Sequence, residues 1–392
     1  MVIDYDSSQR LGLVQAEYQR AWVEIDLAAL QHNTQQLRQW LQPNVQLMAV
    51  VKADAYGHGA IRVAETVLAA GASWLAVATS QEGIQLRRAG IAAPLLVLGA
   101  INAPAEIAAL ATWQLQPTLC TPQQALVFSE TLAALRQTLP VHLNLDTGMS
   151  RLGTPWMQAV EFTQFVRQLP YLELTSVYSH LATADDPDPT FLSVQQQRFE
   201  EAIAQLRAAG LTPPLLHLAN SAGTLRDRTL HYDLVRPGLA IYGLYPNPEQ
   251  RHVLPLRPVL QVRARVTQVK TIAAGTGVSY GHRYVSDREQ RIAIIGIGYA
   301  DGVPRNLSNR LQALVRGQRL RQIGAVTMDQ IMIDASPLPD LQPGEVVTLL
   351  GEDGQEAITA EDWAAMLGTI SWEILCGFKP RLPRVYRAAE CS

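Results

Sequence analysis

Lys52 closes the apolar run Ala49-Val50-Val51, and a lysine at the end of a buried strand cannot easily bring its ammonium to water. Desolvation favours the neutral amine, the form that attacks a carbonyl or takes a proton, so the position suits Schiff-base or general-base chemistry. The plain alternative is a strand-end lysine that simply extends into solvent. Four other stretches offer complementary groups. Asp146-Thr147-Gly148-Met149-Ser150-Arg151 presents an arginine whose fork matches a carboxylate, though an internal ion pair would use it as well. His180 ends another apolar run, where a histidine is either chemically engaged or satisfied by a backbone carbonyl. Asn220-Ser221-Ala222-Gly223 sets small residues at a helix start, which suits a phosphate through free N–H groups and the helix dipole, or ordinary capping by Ser221. Val235-Arg236-Pro237-Gly238-Leu239 is the fifth stretch.

All five sit at the ends of strand-like runs. Eight short apolar segments, 47–52, 74–78, 95–98, 115–120, 141–146, 172–180, 215–219 and 234–236, alternate with helical patterns such as 60–70, 122–135 and 193–209. Continuous apolar strands separated by helices predict parallel pairing with both faces buried. Eight such units predict a (β/α)8 barrel rather than an open sheet. Barrels of this kind gather reactive residues at the carboxyl ends of their strands. The loops after strands seven and eight are a common phosphate site, so the fourth and fifth stretches support one another.

After Pro258 the period changes. Leu260, Val262, Ala264 and Val266 alternate with Gln261, Arg263, Arg265 and Thr267, the pattern of a half-buried antiparallel strand. Further strands are predicted at 291–298, 312–315, 320–325, 330–334 and 345–350, with a hairpin turn at Arg316-Gly317-Gln318. Thr359-Ala360-Glu361-Asp362 reads as a capping box for one helix, which Gly368 closes. The expected organisation is an extension over 1–20, a barrel over 21–258 and a mainly antiparallel β domain over 259–392.

Composition excludes several classes. The 392 residues carry 32 lysines and arginines against 35 acids, a formal charge of -3, which gives no electrostatic reason to expect nucleic acid or an anionic membrane. Three scattered cysteines, Cys120, Cys376 and Cys391, are too few for a disulfide framework or a zinc cage. The polar N-terminus lacks a secretory pattern and no run is long enough to span a membrane, so a cytoplasmic protein is expected. His142, His180 and His217 show no His-x-His pair and no carboxylates at ligand spacing, so no metal is expected. Gly296-Ile297-Gly298 lacks the strand-to-helix context of a dinucleotide loop. A lysine that meets carbonyls, a phosphate cradle and a carboxylate-reading arginine together fit pyridoxal phosphate with an amino-acid substrate.

The run 49–59, together with Asp146–Gly153, Ala219–Gly223, Ser279-Tyr280-Gly281, Gly298-Tyr299-Ala300-Asp301-Gly302 and Met328-Asp329-Gln330, resembles the alanine racemase family. The resemblance runs in order from Ala21 to Arg387. It implies a homodimer of barrel-plus-β-domain subunits, with active sites at the subunit interface, that interconverts L- and D-alanine for peptidoglycan. Lys52 would hold pyridoxal 5'-phosphate as an internal aldimine and act as one base. Tyr280, reaching the other subunit's cofactor, would be the opposite-face base. Tyr56, Ser221, Gly238 and Leu239 would hold the phosphate with Asn220 nearby, His180 would support the ring, and Arg236 would pair with its nitrogen. Arg151 and Met328 would meet the substrate, Asp329 would shape the entrance, and Tyr299 would support the site.

Two positions depart from the family. Asn144 stands where many members carry a carbamylated lysine that orients the substrate arginine, and a hydrogen bond between Arg151 and Asn144, with a small anion taking the missing charge, is the expected substitute. Trp372 stands where a tyrosine usually touches the phosphate. Rival readings are a racemase of broader specificity, for serine among others, and a related barrel decarboxylase. A non-catalytic pyridoxal-phosphate-binding protein would lack the β domain, and a cofactor-free aldolase would leave Arg236 and Tyr280 idle.

Overall fold

A computed structural model describes residues 19–387; the expected extension up to residue 18, and Cys391, lie outside the described residues. The chain divides into two compact units, one of 29–55 and 60–257, the other containing 19–28, Tyr56–Gly59 and 258–387.

The first unit holds the eight expected strands in an all-parallel sheet. Gln46–Val50, Trp74–Val77, Leu95–Ala100, Gln116–Leu119, Leu139–Asp146, Leu172–Tyr178 and Leu215–His217 pair in that order, and Leu234–Val235 pairs back onto Gln46–Val50. A parallel bridge between Asn220 and Arg236 joins the two ends, which closes the barrel. The runs are apolar because both faces are covered: Leu47, Ala49, Leu75, Val97, Leu143 and Val177 have no exposed surface. Lys52 and His180 fall just beyond the last residue of their strands and Arg236 in the bridge that follows the eighth, the end where such barrels place chemistry. The helix expected from 193 begins earlier, at Thr190, because Asp188 accepts from both the amide and the hydroxyl of that threonine.

In the second unit nine strands form one curled, mostly antiparallel sheet. Leu260–Ile272 is its spine, pairing with Gln290–Ile295, with Val346–Asp353 and with Ala21–Asp26. The last of these corrects the expected boundary, since residues 21–26 belong to this sheet and not to the barrel. Pairing with Leu260–Ile272 on one side and Arg384–Arg387 on the other places them there. Val23 and Ile25 are fully buried, while Glu24 on the opposite face is held by Arg263 and Arg387 at 3.4 and 3.0 Å. The predicted hairpin is present, with Arg316 and Gly317 at φ 51° and 72° as its tight turn requires. Thr359 and Asp362 form the capping box of Ala360–Leu367, and Gly368 ends that helix in the left-handed region.

One contact in this unit sets two loops together. Tyr299 and Ala300 donate their amides to the carbonyls of Thr327 and Met328 at 2.9 and 3.0 Å. A Cβ on Gly298 would lie 2.3 Å from the first carbonyl oxygen and 2.4 Å from the second, and both are backbone atoms with nowhere to go. Gly298→Ala should therefore cost about 1–3 kcal/mol of stability in a denaturant titration. An unchanged midpoint and slope would show that the two loops are not locked in this way.

Candidate active site

At the barrel's carboxyl end the chain leaves Val51 through an unusual turn. Ala53, Asp54, Ala55 and Tyr56 all have φ between 52° and 54°, so four consecutive non-glycine residues wind in the left-handed sense directly after Lys52. Each costs about 1–2 kcal/mol relative to the right-handed form. Glu82 compensates by accepting from the Ala53 amide at 2.7 Å, and Asp54 by accepting from the Ala60 amide at 2.8 Å. Strain retained in this fashion fixes where the lysine emerges.

Arg236 is the electrostatic centre of the same end. Its guanidinium is buried and donates to His217 Nδ1 at 2.7 Å, to the Ser179 carbonyl at 2.7 Å and to the Leu218 carbonyl at 3.1 Å, with His180 Nδ1 at 3.3 Å. Among the described residues no carboxylate pairs with it. Burial pulls its pKa down to about 10, so it remains cationic at neutral pH. The cation lies 5.0 Å above the Tyr178 ring, and the His217 ring stacks on that tyrosine at 4.6 Å. His180 is pushed down to about 3 by burial first, then by the charges of Arg236, Arg151 and Lys52, so its imidazole is neutral. That influence also places Lys52 and Arg151 within electrostatic reach of His180.

Beside Arg236 two short turns meet. Asn220 caps the helix Ser221–Arg226 through the Gly223 amide at 3.0 Å. Ser221 Oγ accepts from the Gly238 amide at 2.8 Å and from the Ala240 amide at 3.3 Å, tying the loops after the seventh and eighth barrel strands together. Ser221 and Leu239 occupy first positions of their turns, where an amide has no acceptor within the helix. Asn144, Arg151, Ser179 and His180 line one small hollow. The expected hydrogen bond from Arg151 to Asn144 Oδ1 is not formed. Asn144 is buried in the strand and faces the Cys120 thiol, its Oδ1 has no hydrogen-bond partner, and Arg151 stands exposed in its turn.

The remaining expected residues belong to the β unit. Tyr280 is 72% exposed, displayed on a turn in which Ser279, Gly281 and His282 all have positive φ. Ser279 Oγ anchors that turn to the Ala325 carbonyl at 2.8 Å. Met328 and Tyr299 are exposed, and Asp329 pairs with Arg381 at 2.7 Å. Arg381 in turn reaches the fully buried Asp301, which Arg20 also holds. Trp372 lies in the helix Ser371–Cys376, half-buried; its indole offers an N–H but no hydroxyl. Tyr56 is buried, and desolvation with the nearby Cys376 keeps its phenol protonated.

Sequence reasoning passed over Tyr178, Ser176 and the service of His217 to Arg236. The available signal was a set of polar and histidine residues inside barrel strands that otherwise read as apolar, taken at most for a failed metal site.

Two family profiles match the chain, "Alanine racemase, N-terminal domain" over residues 25–246 and "Alanine racemase, C-terminal domain" over residues 259–386. An alanine racemase of Nostoc sp. is 66% identical over 94% of this chain and 96% of its own length. One from Synechocystis sp. is 63% identical over 94% and 99%. The crystal structure of the Bacillus anthracis alanine racemase with bound L-Ala-P superposes with a TM-score of 0.89 at 38% identity, covering 95% of this chain and 96% of that one.

The three neutral histidines carry a pH signature. His142 and His180 are held to about 3 and His217 well below its usual value, chiefly by burial. In the unfolded chain each takes a proton near pH ~6.5, whereas the native state does not, so stability is complete above that pH and is lost as pH falls below it, down to about 3 for His142 and His180. Each should contribute about 1.4 kcal/mol per pH unit in that window. Urea titrations between pH 7 and 4 should show stability falling steadily on acidification; a flat profile would mean that the histidines are charged or exposed.

Proposed function

Because this chain is a member of the alanine racemase family, whose enzymes interconvert L- and D-alanine with pyridoxal phosphate, we propose that Lys52 and Tyr280 are its two bases, one for each face of the substrate's Cα. The observation that carries this reading is Arg236. A buried cation whose protein acceptors are all neutral favours an electron-rich neighbour and opposes a second positive charge beside it. A pyridine nitrogen fits that environment in its unprotonated form.

The other residues fit the group as well. The first amides of Ser221 and Leu239, with Gly238 and Asn220 shaping the turn, suit the phosphate, and neutral His180 suits a ring face. Tyr56, whose burial keeps its hydroxyl protonated, would donate to the phosphate, while Trp372 in the family's tyrosine position can only pack or offer its N–H. Lys52 Nζ is the covalent attachment point in the resting enzyme. When bound, pyridoxal phosphate supplies the conjugated acceptor for the electrons left when Cα loses its proton.

The chain's own groups do the rest. Arg151 forks onto the substrate carboxylate, and Met328, Asp329 and Tyr299 are assigned to the substrate's surroundings. Lys52 Nζ moves a proton on one face of Cα and the Tyr280 phenolic oxygen moves one on the other, as inversion by proton exchange requires. By keeping the ring nitrogen unprotonated, Arg236 limits how long negative charge rests away from Cα. Protons therefore return to Cα rather than to the cofactor.

Tyr280 is assigned to the partner subunit's site. It stands on a stiff turn, mostly exposed, in the unit that also carries exposed Met328, Tyr299, Val285 and Ile370. Exposed apolar side chains suit burial against a second copy. The enzyme works in this reading as a cytoplasmic homodimer supplying D-alanine to peptidoglycan.

Mixing two inactive variants tests the shared site. Lys52→Arg and Tyr280→Phe homodimers should each fail to put deuterium from heavy water onto Cα of both alanine isomers. Unfolded and refolded together in equal amounts, half the dimers are mixed and each has one complete site, so activity should return to about one quarter of wild type. No recovery in refolded mixed dimers would place both bases in one chain or assign them wrongly.

A further inference from the structure

A line of buried side chains leads away from Arg236 across successive barrel strands. His217 Nδ1 receives the Arg236 guanidinium at 2.7 Å, and His217 Nε2 meets Ser176 Oγ at 2.8 Å. Ser176 Oγ meets His142 Nδ1 at 2.6 Å, and His142 Nε2 meets Gln116 Oε1 at 2.7 Å. All but Gln116 are buried: Ser176 and His217 have no exposed surface and His142 has 1%. Trp74, three strands away from His142, contacts it edge-on at 5.7 Å, so the line runs through the barrel interior. Barrel interiors are ordinarily filled by branched apolar residues. Four polar groups in a row there need a reason.

Donor chemistry gives the line one direction. A guanidinium only donates, so His217 Nδ1 accepts and its proton sits on Nε2. Ser176 Oγ then accepts from His217 and turns its own hydrogen to His142 Nδ1. His142 must carry its proton on Nε2 and hand it to an acceptor, which Gln116 Oε1 is. The reverse sense would point an N–H of His217 at the guanidinium of Arg236. A fixed cation at one end and an amide oxygen at the other therefore lock both histidines in the Nε2–H tautomer.

We infer that Ser176 and His142 are positioning residues that act through His217 to hold Arg236 in place as a donor facing the cofactor's ring nitrogen. The inference rests on the proposed contact between Arg236 and that nitrogen, and adds the residues that sustain it. Without the serine hydroxyl the His217 Nε2–H has no acceptor, and the Nδ1–H tautomer becomes competitive. That tautomer repels the guanidinium and lets it turn towards its remaining carbonyl acceptors. With Arg236 turned away the ring nitrogen would be open to protonation, and the loaded enzyme would more often convert alanine and water to pyruvate, the amino group staying on the cofactor.

The test uses the full-length, cofactor-loaded enzyme labelled with 15N-histidine, in the native form and as Ser176→Ala and Ser176→Thr, with His142→Gln assigning the signals. Native and Ser176→Thr enzymes should show both His142 and His217 as Nε2–H. Ser176→Ala should populate the other tautomer of His217 and raise pyruvate formed per racemisation turnover about tenfold. Gln116→Leu, cut at the far end of the line, should move both readouts in the same direction if the serine variant folds poorly. Unchanged tautomers in Ser176→Ala and Gln116→Leu overturn the relay itself. Released tautomers with an unchanged pyruvate ratio overturn the inference through the contact at the ring nitrogen on which it rests.

Discussion

A guanidinium buried without a carboxylate constrains the rest of the barrel. Desolvating Arg236 is costly, and the structure offsets that cost with four neutral acceptors, a stacked pair of rings and no negative charge. The imidazoles and the phenol packed around it then have to stay neutral. His180 and His217 do so because burial and the nearby cation act in the same direction on each of them. Tyr178 keeps its proton because burial outweighs the attraction of the arginine, and its hydroxyl is matched with Thr118 at 2.8 Å. The polar interior of this barrel follows from one charge that must be held but not neutralised.

Backbone geometry supplies a second constraint. Lys52 opens on four left-handed residues, and Tyr280 stands between residues of positive φ. In both places a side chain proposed as a base emerges from a conformation that costs energy and that local hydrogen bonds retain. Precision of placement is what the strain is exchanged for. The buried Asp301, held by Arg20 and Arg381 and accepting from the Gly298 amide at 2.9 Å, does the same for the loop that carries Met328 and Asp329.

The barrel was legible because its strands are buried on both faces and read as continuous apolar runs, and the β unit because Leu260 to Val266 alternates. Residues 21–26 were not assignable, since a single strand pairing with residues more than two hundred positions away leaves no local mark. The strand-end placement of Lys52, His180 and Arg236 could be read from the apolar runs before any resemblance was invoked. The hydrogen-bonded line through Ser176 and His142 could not, because only the closed barrel assembles it. The pairing of Asn144 with Arg151 failed for a related reason: spacing along the chain says nothing about which way a buried amide turns.

The protonation state of the cofactor's ring nitrogen tests the account most directly. Loading the enzyme with pyridoxal phosphate labelled with 15N in the ring and recording its NMR signal from pH 6 to 9 reads that state without reference to turnover. The account predicts an unprotonated nitrogen that accepts a hydrogen bond and does not titrate, with the signal moving only when Arg236 is replaced. A pyridinium signal in the native enzyme would contradict it.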